Sequence, residues 1–127
     1  MKSFRELIYS PETASEEVIS KVKTHTPRIE APDIVKANQL FELRVSVGPH
    51  PSTVEHSIRR IEVYFYEEGR QFNPVHLATI TLTPVYTEPD VKLTLKLEKS
   101  GAIYAIEYCS LHGLWESGKE IKVIREG

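Results

Sequence analysis

From residue 41 onward, apolar and polar residues alternate one by one, and a period of two limits a chain to β-structure with one buried face. Phe41, Leu43, Val45 and Val47 alternate with Glu42, Arg44 and Ser46, and the cleanest run sets Leu93, Leu95 and Leu97 against Lys92, Thr94 and Lys96. Ile61, Val63 and Phe65 make another strand, as do Ile80 and Leu82, Ile103 to Tyr108, and Ile121 to Ile124, and Arg28 to Ala31 adds a short one. Breakers separate these runs at Gly48-Pro49, Glu68-Gly69, Thr83-Pro84, Glu88-Pro89, Ser100-Gly101 and Ser117-Gly118, where the chain has to reverse. About seven short strands so spaced predict an all-β fold, an antiparallel β-sandwich.

The N-terminal stretch differs. Thr13 stands three residues before Glu16 in capping-box order, and Val18, Ile19 and Val22 are spaced for one helical face. This predicts a short helical segment over about Ala14 to Lys23, ending before Pro27 because proline disfavours helix in the residue preceding it. At 127 residues the chain fits one domain with a sufficient core, spanning 1–127. Residues 1–20 read as an N-terminal extension and 21–127 as the sandwich.

Charge removes several partners. Sixteen basic and eighteen acidic residues leave a formal net charge of −2, with no broad cationic surface for nucleic acid or anionic lipid. No apolar run approaches 18 residues, and the start carries charges where a signal peptide needs an uninterrupted apolar stretch. The expectation is a soluble, cytoplasmic protein with no nucleic-acid or membrane partner.

The one cysteine, Cys109, can form no internal disulfide and no four-thiolate metal site. A free cysteine usually packs as a small hydrophobe, so its neighbours decide its meaning. His112 follows three residues later in a Cys-x-x-His pair at a strand end, a spacing that lets both side chains reach one ion. His25 precedes Thr26-Pro27, His50 lies between Pro49 and Pro51, and His56 begins a strand over Ser57 to Tyr66. Loops at one end of a sandwich bring such positions together. Taken singly, each histidine reads as an ordinary loop or strand-flanking residue. His76 lies within the run Phe72 to Thr83 with no second donor beside it and is read as structural.

A set of four imidazoles and one thiolate fits structural zinc poorly, because such sites are four-coordinate and usually hold two or more thiolates. Blue copper generally adds a weak axial methionine, and the sole methionine here is Met1. Imidazole and thiolate together suit iron, and five protein ligands leave one octahedral position free.

With His25-Thr26-Pro27, His50-Pro51-Ser52-Thr53-Val54-Glu55-His56-Ser57-Ile58 and Tyr108-Cys109-Ser110-Leu111-His112-Gly113-Leu114-Trp115-Glu116, the chain resembles the one-iron superoxide reductases of the neelaredoxin and desulfoferrodoxin type. The family patterns are His-x-Pro, His-Pro-x-x-x-Glu-His-x-Ile and Cys-Asn-x-His-Gly, and the match, with Val85-Tyr86-Thr87-Glu88-Pro89, covers roughly residues 21 to 124. The resemblance implies an immunoglobulin-like sandwich and one iron per chain, with His25, His50, His56 and His112 in a plane and Cys109 axial. It also implies reduction of superoxide to hydrogen peroxide at the face opposite sulfur, an electron donor of the rubredoxin type, and assembly as a homo-oligomer, dimer or tetramer.

The chain departs from the family at two places. Where the family often reads Glu-Lys-His, this chain has Lys23-Thr24-His25, so the glutamate that ligates resting ferric iron has no counterpart. The family's anion-attracting lysine aligns with Thr24, and Lys23, one residue away, is the catalytic candidate for that role. Glu16 and Glu17 are candidates to replace the carboxylate. Ser110 stands for asparagine and offers a hydroxyl near the thiolate. The alternative reading is a metal-binding β-sandwich module with a structural or iron-delivery role and no turnover.

Overall fold

The computed structural model describes residues Met1–Arg125. Eight strands follow one another as β1 (Arg28–Glu30), β2 (Ile34–Lys36), β3 (Phe41–Ser46), β4 (Ile58–Glu67), β5 (Val75–Thr81), β6 (Asp90–Leu95), β7 (Gly101–Cys109) and β8 (Gly113–Ile124). They form a three-stranded sheet in the order β1-β3-β6 and a five-stranded sheet in the order β2-β8-β7-β4-β5. The period of two seen in the sequence is what closes the core. Register places Phe41, Leu43 and Val45 opposite Leu95, Leu93 and Val91 on one sheet, and Ile61, Val63 and Phe65 opposite Glu107, Ala105 and Ile103 on the other. Leu43, Val45, Ile61, Val63 and Ile103 are fully buried, and each such side chain contributes about 1.5–3 kcal/mol relative to exposure.

The predicted β-sandwich is what the chain adopts, with three local differences. First, β2 was not foreseen, and it joins β8 in parallel, pairing Ile34, Val35 and Lys36 with Lys122, Val123 and Ile124. Three residues between turns are too few to show a period. Second, β8 runs straight through Ser117-Gly118, where the sequence predicts a reversal. Gly118 faces Tyr104 across the ladder, and a Cβ there would stand 2.7 Å from the ring. The glycine marks a close approach inside a strand instead of a turn.

Third, the helix predicted over about Ala14 to Lys23 is shorter and later. A 3-10 turn at Ile19–Lys21 runs into a single α-helical turn, α1 (Val22–His25). Thr13 does not cap a helix at Glu16. Its hydroxyl instead accepts from the Ser10 N–H at 3.2 Å and pairs with the Ser10 hydroxyl at 2.9 Å, so the local bonds close a turn. The capping-box arrangement occurs earlier, where the Glu6 carboxylate accepts from the Ser3 N–H and hydroxyl at 3.2 and 2.8 Å. The N-terminal segment then crosses to β8 through a parallel bridge between Tyr9 and Trp115.

These connections converge at one end of the sandwich. The end of α1, the loop from β3 to β4, the end of β7 and the start of β8 all meet there.

Candidate metal centre

His25 closes α1, His50 and His56 lie in the loop between β3 and β4, Cys109 ends β7, and His112 sits in the turn before β8. That turn needs Gly113, which has φ +79°, a left-handed conformation glycine adopts without strain. Ser110 binds the two loops together. Its N–H donates to the Ser57 carbonyl at 3.0 Å, its hydroxyl accepts from the Ser57 N–H at 3.1 Å and donates to the Glu55 carbonyl at 3.0 Å. The hydroxyl expected near the thiolate is therefore spent on backbone, and its role is to hold the His56 loop against the Cys109 turn.

Donor atoms of His25, His50, His56, Cys109 and His112 all lie within 4.8 Å of one another. The imidazoles are arranged in a ring. His25 with His50, His50 with His56, His56 with His112, and His112 with His25 each meet edge-to-face at 74–84°, with centroids 4.5–5.0 Å apart. His25 Nε2 is 3.2 Å from His50 Nε2 and 3.1 Å from His112 Nδ1. A square of such sides has a half-diagonal, side over √2, of about 2.2 Å, close to a metal–imidazole bond. Cys109 Sγ lies 3.4 Å from His50 Nε2 and 3.7 Å from His112 Nδ1, nearly equidistant from two opposite corners. His56 Nε2 is buried without a hydrogen-bond partner. An orphaned nitrogen facing four other donors fits a cation at the centre.

Charge and burial act on the same atoms. Burial first, then the neighbouring His50, pushes His25 down to about 4, and burial lowers His50 and His112 as well, so these rings are neutral and ready to bind metal. Burial pushes the Cys109 thiol up, against the opposing pull of the Leu111 and His112 N–H groups that point at the sulfur. A bound cation would favour the thiolate. Nδ1 of His50 donates to the Pro51 carbonyl at 2.8 Å, which fixes Nε2 as the free donor.

The sequence profile described as Desulfoferrodoxin matches residues 17–118, the stretch that carries all five donors. The chain belongs to the desulfoferrodoxin family. Among desulfoferrodoxin relatives, a superoxide reductase (neelaredoxin) from Ignicoccus hospitalis is 66% identical and superposes with a TM-score of 0.91, covering 97% of this chain and 100% of that one. The superoxide reductase of Pyrococcus furiosus is 39% identical over 111 residues, which is 76% of this chain and 87% of its own. The neelaredoxin of Megalodesulfovibrio gigas is 37% identical over 116 residues, 80% of this chain and 88% of its own. One iron ion suits this desulfoferrodoxin donor set.

Other sequence candidates lie elsewhere. Glu16 and Glu17 are exposed, and the donor cluster holds no carboxylate. His76 is exposed and pairs with the Thr79 hydroxyl at 2.7 Å. Lys23 is exposed, and the lysine whose charge bears on His25, Cys109 and His112 is Lys21. Lys21 also lines a groove of about 360 Å³ beside His112, with Leu7, Tyr9, Val18 and Leu111. A signal existed: residues 21 and 25 are four apart and share a helical face, whereas 23 and 25 do not.

Sequence reasoning missed Glu107. It is 1% exposed, both carboxylate oxygens lack partners, and it lies on the core face of β7 two residues before Cys109, beside Ile61 and Trp115. Burial pushes it up to about 9, so it is uncharged at neutral pH.

Proposed function

We propose that this chain is a superoxide reductase in which His25, His50, His56, His112 and Cys109 hold one iron ion. The observation that carries the reading is the ring of four imidazoles and one thiol whose donor atoms all lie within 4.8 Å of one another, with His25 Nε2 3.1–3.2 Å from its two neighbours and the sulfur 3.4–3.7 Å from opposite corners. Bound there, iron supplies the one-electron ferrous/ferric couple that reduces superoxide, which takes one electron and two protons to become hydrogen peroxide, with no oxygen evolved. The chain's own contribution is to present neutral nitrogens on a rigid sandwich end and to gather the anion. We assign that gathering to Lys21 in place of Lys23, because the charge of Lys21 bears on His25, Cys109 and His112 and its side chain lines the groove beside His112. A small one-electron carrier of the rubredoxin type is the inferred donor, and the groove of Leu7, Val18, Leu111 and Lys21 beside His112 gives it a surface.

The same proposal includes a homo-oligomer, dimer or tetramer. Exposed Tyr66, Tyr104 and Tyr108 on β4 and β7 of the five-stranded sheet offer a face for it. A cytoplasmic location suits a chain whose one thiol must stay reduced. Sedimentation and cell fractionation test these two points.

The experiment for the activity uses iron-loaded protein. Metal analysis should give one iron per chain, the oxidised protein should absorb in the red visible region through thiolate-to-iron charge transfer, and the reduced protein should consume superoxide without evolving oxygen. C109S should abolish the absorption band and the activity while the chain stays folded. A folded, iron-loaded protein inert to superoxide would instead establish the structural or iron-delivery alternative.

A further inference from the structure

We propose that Thr24 is a positioning residue for the iron ligand His25, an inference that rests on the ligand set above. Three atoms form a closed triangle: Thr24 Oγ1 stands 2.8 Å from His25 Nδ1, the Lys21 carbonyl oxygen stands 3.1 Å from the same Nδ1, and Thr24 Oγ1 stands 3.2 Å from that carbonyl. A carbonyl only accepts. The Nδ1–H therefore donates, shared between the Lys21 oxygen and the Thr24 hydroxyl, and the hydroxyl donates its own O–H to the Lys21 oxygen. This assignment satisfies every contact in the triangle.

It also leaves one place for the ring's lone pair. Nε2 of His25 faces His50 Nε2 and His112 Nδ1, toward the centre. The opposite tautomer would aim a proton at the metal position. His50 reaches the same outcome with one carbonyl, that of Pro51, in a loop of its own. His25 stands on a helix of only four residues, and a single turn has little stiffness by itself. The threonine hydroxyl supplies a second acceptor on that turn, and the Trp115 ring at 5.3 Å backs the imidazole. Accepting from Nδ1–H also makes Nε2 a stronger electron donor, which favours the ferric state. The position that aligns with a lysine in related chains is thus used here to hold a ligand.

The test compares iron-loaded full-length wild type with T24V, T24A and T24S. T24V and T24A should lose about 10-fold in iron affinity, measured by chelator competition, and their midpoint potential should move upward. T24S, which keeps the hydroxyl and drops the methyl, should restore both. Should T24V fail to fold, the T24S and T24A pair, differing by one oxygen, still decides the matter. Equal affinity and potential in T24S and T24A, or wild-type values in T24V, overturn the proposal. Nitrogen-15 NMR of the iron-free chain reads the same point independently: His25 should be protonated at Nδ1 in wild type and T24S, and a mixed tautomer there in wild type refutes it. Failure of the wild type to bind iron would count against the metal centre, while the tautomer measurement would still report on Thr24.

Discussion

Replacing Glu107 by glutamine should change how the stability of this chain depends on pH. The carboxyl is sealed between the sheets and has no partner, which pushes it from the ordinary 4.5 up to about 9. In the folded chain it keeps its proton, whereas in the unfolded chain it ionises above pH 4.5. Its contribution is intact below that pH and is lost progressively as pH rises toward 9. Each pH unit in that window costs about 1.4 kcal/mol, so from pH 5 to pH 8 the side chain withdraws about 4 kcal/mol, a large share of a small domain's stability. Glutamine has nearly the same shape and does not titrate. Urea unfolding of both proteins at several pH values, with iron removed so that metal-linked protons do not enter, isolates the effect in their difference. The histidines act alike on both chains and cancel. E107Q should be close to wild type at pH 5 and gain about 4 kcal/mol relative to it by pH 8. A difference that stays constant across that range would refute the buried, protonated carboxyl.

Lys21 and Lys23 separate cleanly in kinetics. K21E should slow the reaction of the reduced protein with superoxide by about 10-fold at low salt and weaken its dependence on ionic strength, measured by pulse radiolysis, whereas K23E should leave both nearly unchanged. S110A strands the buried Ser57 N–H and frees the Glu55 carbonyl, so denaturant melts should show a loss of about 1–3 kcal/mol, with the His56 ligand loop exchanging its amide protons faster.

Much of the sandwich could be read from residues 41–47, 61–65 and 92–97, because burial on one face writes itself into a strand at every second position. The ligand set was legible for a different reason. Cys109 and His112 share one short turn and His50 and His56 one loop, which is suggestive, and the resemblance of these motifs and of His25-Thr26-Pro27 to the one-iron superoxide reductases supplied the full set. Lys21 was hidden because its relation to His25 depends on a helical turn that reaches His25, two residues beyond the predicted helix end at about Lys23. Gly118 was misread because glycine serves both a reversing chain and a crowded strand, and only Tyr104 across the ladder tells them apart. Glu107 breaks the apolar pattern of β7 at a core position, which the alternation of Ile103 and Ala105 already places inward.

His25 and His112 stand 87 positions apart along the chain, yet their ring nitrogens are 3.1 Å from each other. A cation held between them would tie a large loop shut, the service that disulfides perform in small secreted domains and that a chain with one cysteine cannot obtain from sulfur alone. Stripping the metal should therefore loosen the N-terminal segment ahead of the sheets, giving proteases their first cut upstream of β1.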